Sequence, residues 1–526
     1  MKKIILPLLF IASLLGSRGL LANADVDRAV QALGGASALA AVSSLQIRGT
    51  LKHWEPDQSL VPGGEKRFAG DSSFTLTRDF GSGAARIDWQ RQLAYPAARE
   101  YRFSEVMVGD AGHVFGIDST ARTSQSRAAD PPGHAMSSVR LRAAMRELER
   151  SSPLLALDMQ RHAAQITVLP PVKVGGRSHA ALRYALAGRD FVVLFDPASG
   201  LPARVRSLDY DFVRGDLDFD LVLSDWRPVA GIQVAHRQVY ELAGEVVAET
   251  TVDSVTINPP PLAGQFDLPA TPRPPALAIG EGVPAYQWVL RRQYIGVFLD
   301  SDMLAWDAGA SRGLTLQEIA DNVLLVQGGS HNSLIVELPG SLVVFDAPIN
   351  DAQAQWTLAA LRQKFPHKRV RHLVLTHHHM DHIAGARSFI AAGATLVVGA
   401  GAADHYRRMA AAPHRRNPVL AGSVGEPRII EVSDRLSISD GGREVLVLDA
   451  ENPHATAMLI GYVPDARLGF VTDLWSPGRD ALGSRLGAGQ AAVVAAVARH
   501  AIVPERFAGG HGSVAPYAPL AQLAGN

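Results

Sequence analysis

The sequence predicts an α/β protein in two parts, a mainly antiparallel β region with a few helices and then a layered region of mixed strands and helices. Three observations carry that reading. Apolar and polar residues alternate at period two through much of the first half of the chain. Prolines then crowd together, as NPPP at 258–261 and LPATPRPPA at 268–276. From Asn322 onward, short apolar strands interleave with helical segments. Period-two alternation marks half-buried strands, whereas interleaved apolar strands and helices imply layered packing.

Taken in order, the chain opens with MKKIILPLLFIASLLGSRGLLANA. Lys2 and Lys3, the apolar run Ile4 to Gly16 and the small-x-small end Ala22-Asn23-Ala24 predict a signal peptide over 1–24, with the mature chain starting at Asp25. Ser17 and Arg18 break the apolar run before it could span a bilayer, so the mature chain is expected to carry no transmembrane segment. A periplasmic or secreted location follows. Asp25 to Leu33 predicts a short helix stopped by Gly34-Gly35. DLDFDLVLSDW is the clearest alternating strand, and FVVLFD, PASGL and PARVRSLDY read as strand, turn, strand. Helical spacing between Met136 and Met159 interrupts this texture. Residues 25–268 are therefore expected to form one antiparallel β domain, and 269–321 a proline-rich linker and connecting segment, since proline at that density cannot continue a sheet. The remaining 322–526 form the second domain. There NVLLVQG, NSLIVEL, SLVVFDA, VRHLVLT, TLVVGA, RIIEV, EVLVLDA, AMLIGYV and LGFVTDL read as strands. Asp351 to Lys364, IAGARSFIAAG and a segment around Gln490 to His500 read as helices.

Composition narrows the chemistry. Lys+Arg and Asp+Glu both total 51, so the chain lacks the basic excess of a nucleic-acid binder. It has no cysteine, so any metal must be held by His, Asp or Glu. The stretch LVLTHHHMDHIAG places four histidines and an aspartate between His377 and His382. Side chains i and i+2 share a face at a strand end, so His377 and His379 point together and His378 points away. Asp381 and His382 follow where the chain turns into a helix. The stretch thus reads as H-x-H-x-D-H, four metal ligands and one bystander.

This pattern, with Thr376 ahead of it, resembles the signature of the metallo-β-lactamase fold superfamily, over Asn322 to about Gly512. The resemblance implies an αββα sandwich with metal at one edge. It also implies further ligands: His454 in AENPHATAML, Asp473 in LGFVTDLW as a metal bridge, and His511 in FAGGHGS. One metal would take His377, His379 and His454, the other Asp381, His382 and His511. Two Zn2+ per chain are the expected cofactors, with Fe or Mn as alternatives. Asp346 in LVVFDAP matches an aspartate placed beneath the site, orienting a ligand. His378 is expected to be structural, and His367, His405, His414 and His500 to lie at the surface. His331 is expected to be an exposed loop residue, and Trp475 either lines the pocket or sits in the core.

The expected activity is that of a metallo-hydrolase in which a metal-activated water, oriented by Asp381 and Asp473, cleaves an ester-like bond of a small-molecule substrate: lactone, ester, thioester, β-lactam or phosphodiester. The Asn452-Pro453-His454 context departs from the G-H-T-x-G-H of thioesterases and lactonases, and the absence of cysteine excludes lactamases that use it as a ligand. Two other readings are a mononuclear iron oxygenase of the same fold and a non-catalytic periplasmic ligand-binding protein. The latter draws on a similarity of the N-terminal strand texture to periplasmic lipoprotein-carrier-like domains, in which a half-barrel wraps a helix.

Overall fold

The computed structural model describes residues 24–119, 124–186, 189–270, 285–295, 299–300, 313–417 and 419–525. The predicted signal peptide, apart from Ala24, lies outside the described residues, as does most of the second proline cluster.

The N-terminal part is one 13-stranded antiparallel sheet. Its first strand, β1 (Ser44–Glu55), pairs on one side with β2 (Arg67–Asp79) and on the other with the last strand of the sheet, Glu245–Ile257. Two meanders are thereby joined through β1. The predicted opening helix spans 24–32, and Gly34 follows at φ 122°. A side chain there would place Cβ 2.3 Å from the Gly231 carbonyl oxygen, so glycine lets this turn lie flat on the sheet. The helical spacing after Met136 resolves into helices Ser138–Arg150 and Leu155–Arg161, the first capped by Ser137, whose hydroxyl accepts from the Arg140 amide.

The segment 269–321, expected to be linker, holds structure at its described positions. A helix at Tyr286–Ile295 buries Trp288, Val289 and Leu290 against Phe219, Tyr240, Leu242 and helix Ser138–Arg150. Its arginines gave no apolar stripe to read, because Arg291 and Arg292 are themselves buried and paired with Glu55 and Asp57. Strand Thr315–Ala320 then pairs with Val323–Gln327, so the C-terminal sheet begins ahead of Asn322.

The C-terminal part is an αββα sandwich. A seven-stranded sheet runs from Thr315–Ala320 to Ile429–Val432, antiparallel through Leu342–Phe345 and parallel from there through Val370–Val374 and Thr395–Gly399. A six-stranded sheet from Arg435–Asp440 to Val514–Pro516 faces it. Leu325, Val343, Phe345 and Val374 meet Val447, Leu459 and Phe470 between the sheets, while Leu324, Val344 and Leu373 turn outward onto helices Asp351–Lys364 and Ala386–Ala391. Both faces are covered, which is why these strands read as uninterrupted apolar runs. Helix Ala488–Arg499 covers the second sheet through Val493 and Val497. Among the described residues no helix is long and apolar enough to cross a membrane.

Candidate metal centre

The expected ligands converge at one edge of the sandwich because they follow the ends of neighbouring strands. Asp346 follows Leu342–Phe345, and Thr376 to His379 follow the parallel strand Val370–Val374. Asp473 follows Leu468–Val471, whose parallel partner Arg506–Gly509 leads into His511. His454 lies in the loop between Arg443–Asp449 and Leu459–Val463. Open α/β sheets place their sites at such carboxyl ends. Asp346 and Asp473 both adopt left-handed backbone, φ 59° and 57°, a conformation aspartate tolerates better than most residues and one often stored at functional positions.

Each of four imidazoles has one nitrogen tied outward and the other turned inward. His382 Nδ1 lies 3.1 Å from Asp346 Oδ2. His377 Nδ1 lies 3.2 Å from the Thr376 hydroxyl, which itself donates to Asp346. His511 Nδ1 donates to the Ser330 carbonyl at 3.1 Å, and His379 Nε2 to the Ser59 carbonyl at 2.9 Å. A nitrogen that donates carries the proton, so its ring partner presents a lone pair. Those lone pairs gather around Asp473. Nε2 of His377 and of His382 each lie 3.3 Å from its Oδ2, that of His454 at 3.0 Å, and that of His511 at 2.7 Å from Oδ1. His379 Nδ1 lies 3.0 Å from His454 Nε2. The Nε2 atoms of His377 and His382 are buried and lack hydrogen-bond geometry to any partner. Buried acceptors left this way suit a cation, and the donor set of imidazole and carboxylate suits zinc-class metals.

The ligand atoms fall into two groups, each within 4.8 Å: His377, His379, His454 and Asp473 in one, His331, His382 and His511 in the other. Asp473 reaches both. Asp381 lies against the second group: its Oδ2 is 3.2 Å from His331 Nε2 and its Oδ1 accepts from Gln58 Nε2 at 2.7 Å. His331, expected to be exposed, is buried, with its ring 4.1 Å from that of His511 and 5.0 Å from that of His382. Burial would raise the Asp473 carboxyl, but His382 and His511 outweigh it and hold it well below the usual range. Asp381 is likewise held low against burial, chiefly by the His331 hydrogen bond. Burial pushes His379 and His331 down to about 3 and also holds His377 well below its ordinary value, favouring neutral imidazoles, the form that binds metal.

His378 faces away from the cluster and donates to the Ser59 carbonyl at 2.9 Å. His367 is exposed and His405 half-buried, but His414 and His500 are buried, contrary to the surface placement expected of them. Trp475 is a core residue, its ring 5.9 Å from that of Phe507. Gln58, Ser59 and Tyr95, from the N-terminal sheet, had no sequence signal at all. A third cluster of Asp118, His134 and Asp300 lies elsewhere, but Arg140 is bonded to both carboxylates and occupies the place a cation would take.

Residues 326–511 match the family model described as the metallo-beta-lactamase superfamily. Among solved structures, the chain is similar to a metallo-beta-lactamase from Pontibacter korlensis (18% identity, 40% of this chain and 99% of that one, TM-score 0.32). It is also similar to the metallo-beta-lactamase FIM-1 from Pseudomonas aeruginosa in its mono-zinc form (22%, 40% and 95%, TM-score 0.31). A third is the metal-soaked Flv1 flavodiiron core from Synechocystis (15%, 40% and 59%, TM-score 0.32). No curated protein matches the chain.

Proposed function

We propose that the protein is an exported metal-dependent hydrolase that cleaves an ester-like bond in a small molecule, a reading supported by the match of residues 326–511 to the metallo-beta-lactamase superfamily model. The observation that carries this reading is the set of imidazole lone pairs turned onto Asp473, with the opposite ring nitrogens tied to oxygen acceptors. His377, His379 and His454 would hold one ion and Asp381, His382 and His511 a second, with Asp473 between them. Two zinc-class ions there would supply Lewis-acid polarisation of the scissile group and a water acidified toward neutral pH.

The chain's own residues set the rest. Asp473 presents Oδ2 to His377, His382 and His454 and Oδ1 to His511, so it touches both groups of imidazoles, and its depressed pKa keeps it charged at any working pH. Asp381 is gripped at both oxygens, by Gln58 and His331, so its remaining lone pairs have a fixed direction along which to orient an attacking water and take its proton. The bond could be that of a lactone, ester, thioester, β-lactam or phosphodiester, and the fold alone selects none of them.

The test is metal content of the chain from Asp25 to Asn526 alongside Asp473→Ala and His454→Ala, with a panel of those five substrate classes. About two zinc per chain, reduced in both variants together with one hydrolytic activity, is the expected result. One iron per chain would replace the hydrolase with the oxygenase reading, and a chain that stays metal-free after reconstitution would end both. Export is tested separately, by an exported product whose N-terminus is Asp25.

A further inference from the structure

We propose that the turn leaving β1, Pro56 to Ser59, is a positioning part of the metal centre, contributed by the N-terminal sheet to a site whose ligands all lie in the C-terminal sandwich. The inference rests on the metal reading above and adds residues to it.

The Ser59 carbonyl accepts from His379 Nε2 and from His378 Nε2, each at 2.9 Å. The first bond fixes the proton of His379 on Nε2 and leaves Nδ1 bare toward His454. The second uses the imidazole that faces away from the metal to hold the turn in place. Gln58 donates from Nε2 to Asp381 Oδ1 at 2.7 Å, across 323 residues of chain. Its amide has one orientation available, because the Tyr95 hydroxyl donates to Gln58 Oε1 and so directs the NH2 end at the carboxylate. Gln58 and Ser59 are 4% and 1% exposed, so neither bond competes with bulk water.

The turn is also braced on its outer side. Asp57 pairs with Arg214 and, at 3.2 Å, with Arg291 from helix Tyr286–Ile295. Past the turn, the Leu60 carbonyl accepts from the Thr456 amide at 2.8 Å, and Arg67 donates to the carbonyl of His454 itself. A surface that only packed two domains together would have no need to place donors and acceptors on His379, Asp381 and the His454 loop at once. Groups that hydrogen-bond metal ligands in this way set ligand direction and basicity, and their loss commonly lowers metal affinity 10–100-fold.

The experiment uses the full mature chain and measures Zn2+ affinity by competition with a chelator, the Co2+ absorption spectrum, and unfolding of the metal-free protein. The variants are Gln58→Ala, Gln58→Glu and Tyr95→Phe. Expected are a ~10–100-fold loss of Zn2+ affinity for Gln58→Ala, a larger loss for Gln58→Glu, which sets two carboxylates together, and a change in the Co2+ spectrum of each. Tyr95→Phe keeps the ring and removes only the hydroxyl. It is expected to lose Zn2+ affinity in the same direction, with any lowering of the metal-free unfolding temperature confined to the loss of one buried hydrogen bond, and the accompanying change in the Co2+ spectrum separates positioning from packing. Zn2+ affinities within about twofold of the unaltered chain for Gln58→Glu and Tyr95→Phe would overturn the proposal while leaving the metal reading intact. An unaltered chain that binds no Zn2+ would overturn both.

Discussion

Asp346 makes three contacts from a fully buried position: Oδ1 accepts from the Thr376 amide at 2.8 Å, and Oδ2 faces the Thr376 hydroxyl at 2.9 Å and His382 Nδ1 at 3.1 Å. An amide in its place must turn an NH2 toward one of these donors. Asp346→Asn is therefore expected to weaken metal binding by ~10–100-fold through misorientation of His382, read by chelator competition. The unpaired buried donor adds ~1–3 kcal/mol of destabilisation, read by urea unfolding. His331 acts on the other group. Its imidazole lies against His382 and His511 and holds Asp381 Oδ2. His331→Ala is expected to leave the site of His377, His379 and His454 filled while the second ion is lost at limiting metal. A stoichiometric Co2+ titration would then show one tight site per chain where the unaltered protein shows two.

At the scale of elements, helix Tyr286–Ile295 ties the N-terminal sheet to the turn that meets the metal site. Arg291 is buried among Glu55, Asp57 and Asp211, at 3.7, 3.2 and 3.8 Å. Burial disfavours the Asp57 charge, but Arg214 and Arg291 outweigh it and bring that carboxyl down to about 2. A leucine at 291 keeps the helix propensity and the apolar stem but leaves buried carboxylates short of a countercharge. Arg291→Leu is expected to cost ~3–5 kcal/mol in urea unfolding, the usual penalty for removing one partner of a buried ion pair. Replacing the exposed Arg227, whose partner Asp225 is also exposed, is expected to leave the unfolding midpoint nearly unchanged.

Across the whole molecule, three histidines away from the metal site, His53, His113 and His414, are buried at the expense of their charged form. Burial brings His53 to about 3, and His113 and His414 to about 4, from an ordinary value of 6.5. Between these values and 6.5 the unfolded chain binds protons that the folded chain refuses. Stability is then complete above about pH 6.5 and falls as pH drops toward 4, by up to ~1.4 kcal/mol per pH unit for a fully buried histidine such as His53. The measurement is urea unfolding of the metal-free protein from pH 7.5 to 4.5. A midpoint independent of pH over that range would refute it. Metal loss would steepen the fall in the loaded protein, because its ligands must shed protons to bind.

The sequence by itself determined whatever short-range covalent geometry dictates. Helix Asp351–Lys364 could be read to its end residues, since an Asn350 cap and a regular apolar spacing are local signals. The direction of His377 and His379, the opposite direction of His378, and the strand texture of both halves are local in the same sense. Only the tertiary structure decided the rest. Helix Tyr286–Ile295 was illegible because its buried arginines look like a solvated face until their carboxylate partners, over two hundred residues away for Asp57, come into contact. His331 looked like an ordinary loop residue until the hairpin closed on His511. Ser59 and Gln58 carried no signal, since a backbone carbonyl is the same at every position and one glutamine resembles another. Their part in the site exists only where β1 ends against the sandwich, a placement set by the burial of two large surfaces and by no pattern within either.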